Sequence, residues 1–103
     1  MKKCEKHLKY VRQLPCCVCG MTGGVDPHHL RSFAFGRGMG MKSDDKWTVP
    51  LCRKCHNDVH MVGTKEEPAW FFGLGIESSE LADALWKASG CLQRMKKTLM
   101  RFM

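Results

Sequence analysis

Two Cys-x-x-Cys steps, Cys16-Cys17-Val18-Cys19 and Cys52-Arg53-Lys54-Cys55, have residue types and spacing that imply chemistry. A turn of that length presents two thiolates to one tetrahedral ion, so the two steps together supply the closed four-sulfur set of a structural zinc, Cys16, Cys19, Cys52 and Cys55. A thioredoxin-like redox pair would need a βαβ context, which the sequence around these cysteines lacks. Cys17 is able to replace a neighbour as ligand, but the spacing favours Cys16 with Cys19 and leaves Cys17 as a buried small hydrophobe or a spare thiol. Cys4 and Cys91 stand alone in predicted helices and read as packing residues.

The histidines form a second constellation: His28 and His29 are adjacent, and His56 and His60 are one helical turn apart. Spacing i, i+4 puts His56 and His60 on one helix face, where both imidazoles can hold one cation. Cys52 and Cys55 anchor the start of that helix, and Cys16 and Cys19 anchor the chain leading to His28. A structural zinc therefore draws the two histidine pairs together, and a second metal site follows. Coordination bonds of ~2 Å make this impossible if the rings of His28 and His56 lie more than about 10 Å apart.

The elements that must position these groups are legible in outline. Leu8, Val11 and Leu14 recur every three residues on a polar background, which predicts an amphipathic helix over 1–14 ended by Pro15. Trp47 to Leu51 reads as a short extended segment that its proline confines to an edge or strand end. Cys52 to Met61 reads as a helix closed by Gly63. Between the strands, Arg31 to Lys46 is a glycine-rich, basic loop. Glu66 to Phe72 is a predicted short helix, and Ser78 or Ser79 can cap a longer one running to the C-terminus. In it, Leu81, Leu85, Ala88, Leu92, Met95, Leu99 and Phe102 fall on one seam, which packs within the chain or against a second copy as a homodimer. The expected organisation is thus a helix over 1–14, a metal-bearing core over 15–63 and a helical extension over 64–103.

Composition narrows the class. The chain has 103 residues, 17 Lys+Arg against 10 Asp+Glu, and a net charge of +7, the balance of one small domain with a polyanionic partner. Its longest apolar stretch, Ala69 to Ile76, is too short to cross a membrane, and the first fifteen residues do not resemble a secretory signal. A cytoplasmic location is expected. There the seven cysteines, an odd number, favour metal binding over disulfides. So short a chain also has a marginal core that a structural metal would strengthen.

The run Cys16-x-x-Cys19, Pro27-His28-His29-Leu30, Pro50-Leu51-Cys52-Arg53-x-Cys55-His56-x-x-x-His60 resembles the HNH endonucleases, over about half the chain. Within that group, the Gly36 to Lys42 loop followed by Asp45 and Val49 to Arg53 looks like phage recombination-enhancement nucleases that act with a RecA filament. The segment from Gly73 to Trp86 is similar to prophage proteins with the same core.

The resemblance implies an α+β fold: a zinc-stabilised ββα-metal (His-Me finger) core with flanking helices. It implies that His29 is the general base and that His28, His56 and His60 hold a catalytic divalent ion, Mg²⁺, Mn²⁺, Ni²⁺ or Zn²⁺. It further implies DNA as substrate, 5′-phosphate and 3′-hydroxyl products, and a RecA-type recombinase filament as partner. The middle Asn of the family name falls on Trp47. Asp45, and after it Asp44, is the candidate substitute, whereas Asp26 before Pro27 reads as turn chemistry.

Arg31, Arg37, Lys42, Lys46, Arg53 and Lys54 are the expected phosphate contacts, Arg31 and Arg37 foremost, because guanidinium forks fit phosphate oxygens. Met41 between Gly40 and Lys42 breaks the P-loop pattern, which excludes that reading of the glycines. Two rivals stand beside the nuclease: a non-catalytic zinc-stabilised module that binds nucleic acid, and an interaction protein acting through the Leu81 to Phe102 seam.

Overall fold

The computed structural model describes residues 5–30, 46–63 and 66–102. Its elements run α1 (Glu5–Arg12), β1 (Val25–His29), β2 (Thr48–Cys52), α2 (Arg53–Met61), α3 (Glu67–Phe72), α4 (Ser78–Lys87) and α5 (Leu92–Met100), a small α+β protein. No helix is long and apolar enough to cross a membrane among these residues.

β1 and β2 form a two-stranded antiparallel sheet in which Pro27 faces Pro50, His28 faces Val49 and His29 faces Thr48. Two prolines can oppose each other only where the ladder needs no N–H from either, at a non-hydrogen-bonded pair. The Pro50 carbonyl then points off the sheet edge, where it accepts the backbone N–H of Cys17 at 2.9 Å. That bond ties the first cysteine turn to the strand carrying Cys52. Every residue of β2 is buried, because α1, α2 and α4 all pack on this strand.

The predicted N-terminal helix forms and buries Leu8 and Val11, with Leu14 just beyond it in the core. The C-terminal half departs from expectation. One continuous helix from Ser78 onward is replaced by α4 and α5, broken at Ser89-Gly90, where Gly90 takes φ +99°. Cys91, expected inside a helix, is the extended residue that precedes α5. The fold-back lets Leu81, Leu85, Ala88, Met95 and Leu99 all reach the core of this one chain. Five of the seven seam residues are thus covered from within, and Leu92 and Phe102 are half-buried against the same core.

His7 reinforces the corner: buried against the edge of Trp86 at a ring distance of 4.9 Å, it hydrogen-bonds through Nδ1 to Ser89 Oγ at 2.7 Å. Gly90→Ala puts a side chain into a left-handed conformation, and although its Cβ meets no atom within 4 Å, the backbone strain is expected to cost about 1–2 kcal/mol. A urea titration with an unchanged m-value and a lowered midpoint is the check.

Candidate metal centre and active site

The sulfur cluster forms where the two Cys-x-x-Cys turns meet across the end of the sheet. Cys16, Cys19, Cys52 and Cys55 place their Sγ atoms within 4.8 Å of one another, and Cys19 and Cys52 approach to 3.6 Å. A tetrahedral ion with bonds of ~2.3 Å has ligand–ligand edges of about 3.8 Å, so these four sulfurs are close enough together to hold a metal such as zinc. The first turn is closed by the Gly20 N–H on the Cys16 carbonyl at 2.9 Å, and the Val18 N–H points at Cys16 Sγ at 3.4 Å.

The thiols are electrostatically unequal. The backbone N–H of Cys55 and the neighbouring sulfurs pull Cys52 down to about 7, despite burial. Burial pushes Cys55 up. Cys17 lies outside the cluster; it is 2% exposed, and burial raises its thiol far above the ordinary range, so it is an inert packing residue.

The second cluster is built from β1 and α2. His28, His56 and His60 each offer a ring nitrogen within 4.8 Å of the others. The rings of His28 and His56 lie 5.0 Å apart, those of His28 and His60 5.5 Å, and the Nε2 atoms of His56 and His60 2.9 Å. The convergence follows from the register: β2 runs straight into α2 at Cys52, so the helix lies beside β1 and turns its i, i+4 histidines toward His28.

His28 is 1% exposed, and its Nδ1 is buried without a hydrogen-bond partner. An orphaned imidazole nitrogen beside two further imidazoles is the donor set a borderline divalent ion takes, so these residues fit a metal. His29, half-buried, is the last residue of β1, one position from His28.

Of the other residues expected at the site, Arg53 is exposed at the start of α2. Lys46 sits over the Trp47 ring at 4.5 Å and pairs with Asp83 at 3.2 Å. Lys87 and Lys46 together hold the Asp83 carboxyl below its usual range. Arg31, Arg37, Lys42, Asp44 and Asp45 lie outside the described residues. Asp26, in β1 opposite Leu51, is a strand residue here and not part of a turn.

One residue at the centre was missed altogether. Glu67, fully buried in the first turn of α3, contacts Nε2 of His28 through a side-chain oxygen. Only its position as an acid just before Pro68, at a helix start, was visible in the sequence. Phe71, one turn further on, packs near the same ring at 6.2 Å.

The sequence profile of one protein family matches residues 1–76, from α1 through α3 and including both clusters. The chain belongs to that family, described as Protein of unknown function (DUF968). It is also 48% identical over 56 residues to the Escherichia coli (strain K12) protein described as "Uncharacterized protein YdfU". That match covers 54% of this chain and 16% of the relative, so the chain spans only a small part of it. No solved structure matches.

Proposed function

We propose that this member of the DUF968 family is a metal-dependent DNA endonuclease, with an HNH-type ββα-metal core held by a structural zinc. One observation carries the reading: His28 from β1 converges with His56 and His60 from α2, and His29 follows His28 directly. A strand–strand–helix unit with three imidazole donors and a fourth histidine next in sequence supplies the groups that metal-assisted phosphodiester hydrolysis with a histidine base can use.

In this mechanism His29 takes a proton from water as the oxygen attacks phosphorus. The new O–P bond forms while the bond from phosphorus to the 3′ oxygen breaks. The 3′ oxygen departs and collects a proton from solvent, leaving a 5′-phosphate and a 3′-hydroxyl. A divalent ion held by His28, His56 and His60 would supply charge stabilisation at the scissile phosphate and the leaving oxygen. Asp45 is assigned the bracing role of the absent Asn. A place in DNA recombination or processing, in a prophage setting and beside a RecA-type filament, belongs to the same proposal.

Charge supports a nucleic-acid substrate. Lys87, Arg94, Lys97 and Arg101, with Ala84, Ala88 and Thr98, line a groove of about 360 Å³ between α4 and α5. Lys97→Ala and Arg101→Ala are each expected to weaken DNA binding and to reduce the slope of log K against log salt by about one. Fluorescence anisotropy across a salt series measures this, and unchanged slopes would remove the groove from the DNA path.

The decisive assay incubates zinc-loaded protein with supercoiled plasmid and single-stranded DNA in Mg²⁺, Mn²⁺ or Ni²⁺. Nicked and linear products that vanish in His56→Ala are expected. Binding without any strand break under these ions would leave a nucleic-acid-binding module in place of an enzyme.

A further inference from the structure

We infer that Glu67 is the positioning residue of the imidazole site: it accepts the Nε2–H of His28 and so dedicates Nδ1 of that ring to the ion. The inference rests on the reading of His28, His56 and His60 as a metal site, and deepens it.

Three observations meet at this pair. Glu67 is 0% exposed and His28 1%, so solvent does not compensate the carboxylate. A buried carboxylate is costly unless a partner answers its charge. An imidazole N–H polarised by a divalent ion on the opposite nitrogen is such a partner. Secondly, Nδ1 of His28 is buried with no hydrogen-bond partner, a state that is costly until an ion takes the lone pair. Thirdly, Glu67 is not among the side chains whose donor atoms gather within 4.8 Å. It touches His28 on Nε2 and leaves Nδ1 for an ion, which would give the carboxylate–histidine–metal order that fixes tautomer and ring orientation.

Glu67 is 39 residues from His28 in sequence and is delivered by α3, beyond the strand–strand–helix unit. The family match extends to residue 76 and so takes in α3. The metal-binding unit of this chain therefore ends after α3 and not after α2.

The test titrates full-length, zinc-loaded protein with Ni²⁺ by calorimetry, following the second metal equivalent. Glu67→Gln and Glu67→Ala are each expected to weaken Ni²⁺ binding about 10- to 100-fold, with zinc content unchanged. Glu67→Asp restores part of the loss. Long-range ¹⁵N–¹H spectra of the zinc-loaded, Ni²⁺-free wild type are expected to show His28 as the Nε2–H tautomer. Should Glu67→Ala fail to fold, Glu67→Gln and the wild-type spectrum decide.

Wild-type Ni²⁺ affinity in Glu67→Gln, an Nδ1–H tautomer at His28, or no second equivalent in the wild type would each overturn the assignment. Loss of Ni²⁺ affinity in the variants, in a protein that never cleaves DNA, would uphold the role of Glu67 and sink only the nuclease.

Discussion

Stripping the sulfur site of its metal is expected to unfold the protein. Structural zinc contributes about 10–16 kcal/mol of apparent binding energy in small zinc modules, as much as or more than the roughly 5–15 kcal/mol that holds a typical domain together. Three features are expected to make this chain dependent on that term: it has 103 residues, the sheet among the described residues has two strands, and a backbone bond from Cys17 N–H to the Pro50 carbonyl and a Cys19–Cys52 sulfur contact tie the first cysteine turn to β2.

Cys52→Ala should therefore lose bound zinc and its cooperative thermal transition. Cys17→Ala, which touches a buried thiol outside the cluster, should keep both and lose only a packing contribution. Zinc would be bound by thiolates, so protons would compete with the metal and zinc affinity is expected to fall as pH falls. Metal analysis with circular-dichroism melts separates the cases. A Cys52→Ala protein that melts like the wild type would show that packing alone sustains the fold. His28, His56 and His60 would then need some other reason to be brought together.

The second large effect is at His29. Its replacement by Ala is expected to lower the rate of strand cleavage about 10²- to 10⁴-fold, the usual worth of a general base. Zinc content, Ni²⁺ affinity and DNA affinity should be retained, because the ring that is removed belongs to neither cluster. Single-turnover cleavage under saturating protein reads the chemical step, and anisotropy on the same samples reads binding. The combination is diagnostic: a ligand would lose metal, a phosphate contact would lose affinity, and a base loses rate alone. Equal cleavage by His29→Ala and wild type would transfer the base role elsewhere.

Much of the clustering of donor atoms is legible in the sequence. Tetrahedral coordination and helical periodicity are short-range rules, so Cys-x-x-Cys and the His56, His60 pair announce their geometry through spacing alone. The extended segment read at Trp47–Leu51 and the helix read at Cys52–Met61 are each within one residue of β2 (Thr48–Cys52) and α2 (Arg53–Met61). The break at Gly90 is not legible in this way. Alternating steps of four and three hold on either side of it, and a single left-handed residue reverses the chain without disturbing the pattern. Whether such a seam closes on its own chain depends on what lies opposite, and periodicity carries no information about that.

Glu67 marks the same boundary between local and distant information. Its neighbours in sequence describe an ordinary helix start, and only the packing of α3 against β1 brings it to His28. The sequence by itself determined which donor atoms were available and which of them shared a turn or a helix face. Tertiary structure alone decided that Cys17 is excluded from the sulfur cluster, that the C-terminal seam is filled from within, and that His28 has a carboxylate behind it. Each of those outcomes is a contact or a separation set by how distant segments pack, and burial energy depends on the sum of those segments, not on the spacing within any one of them.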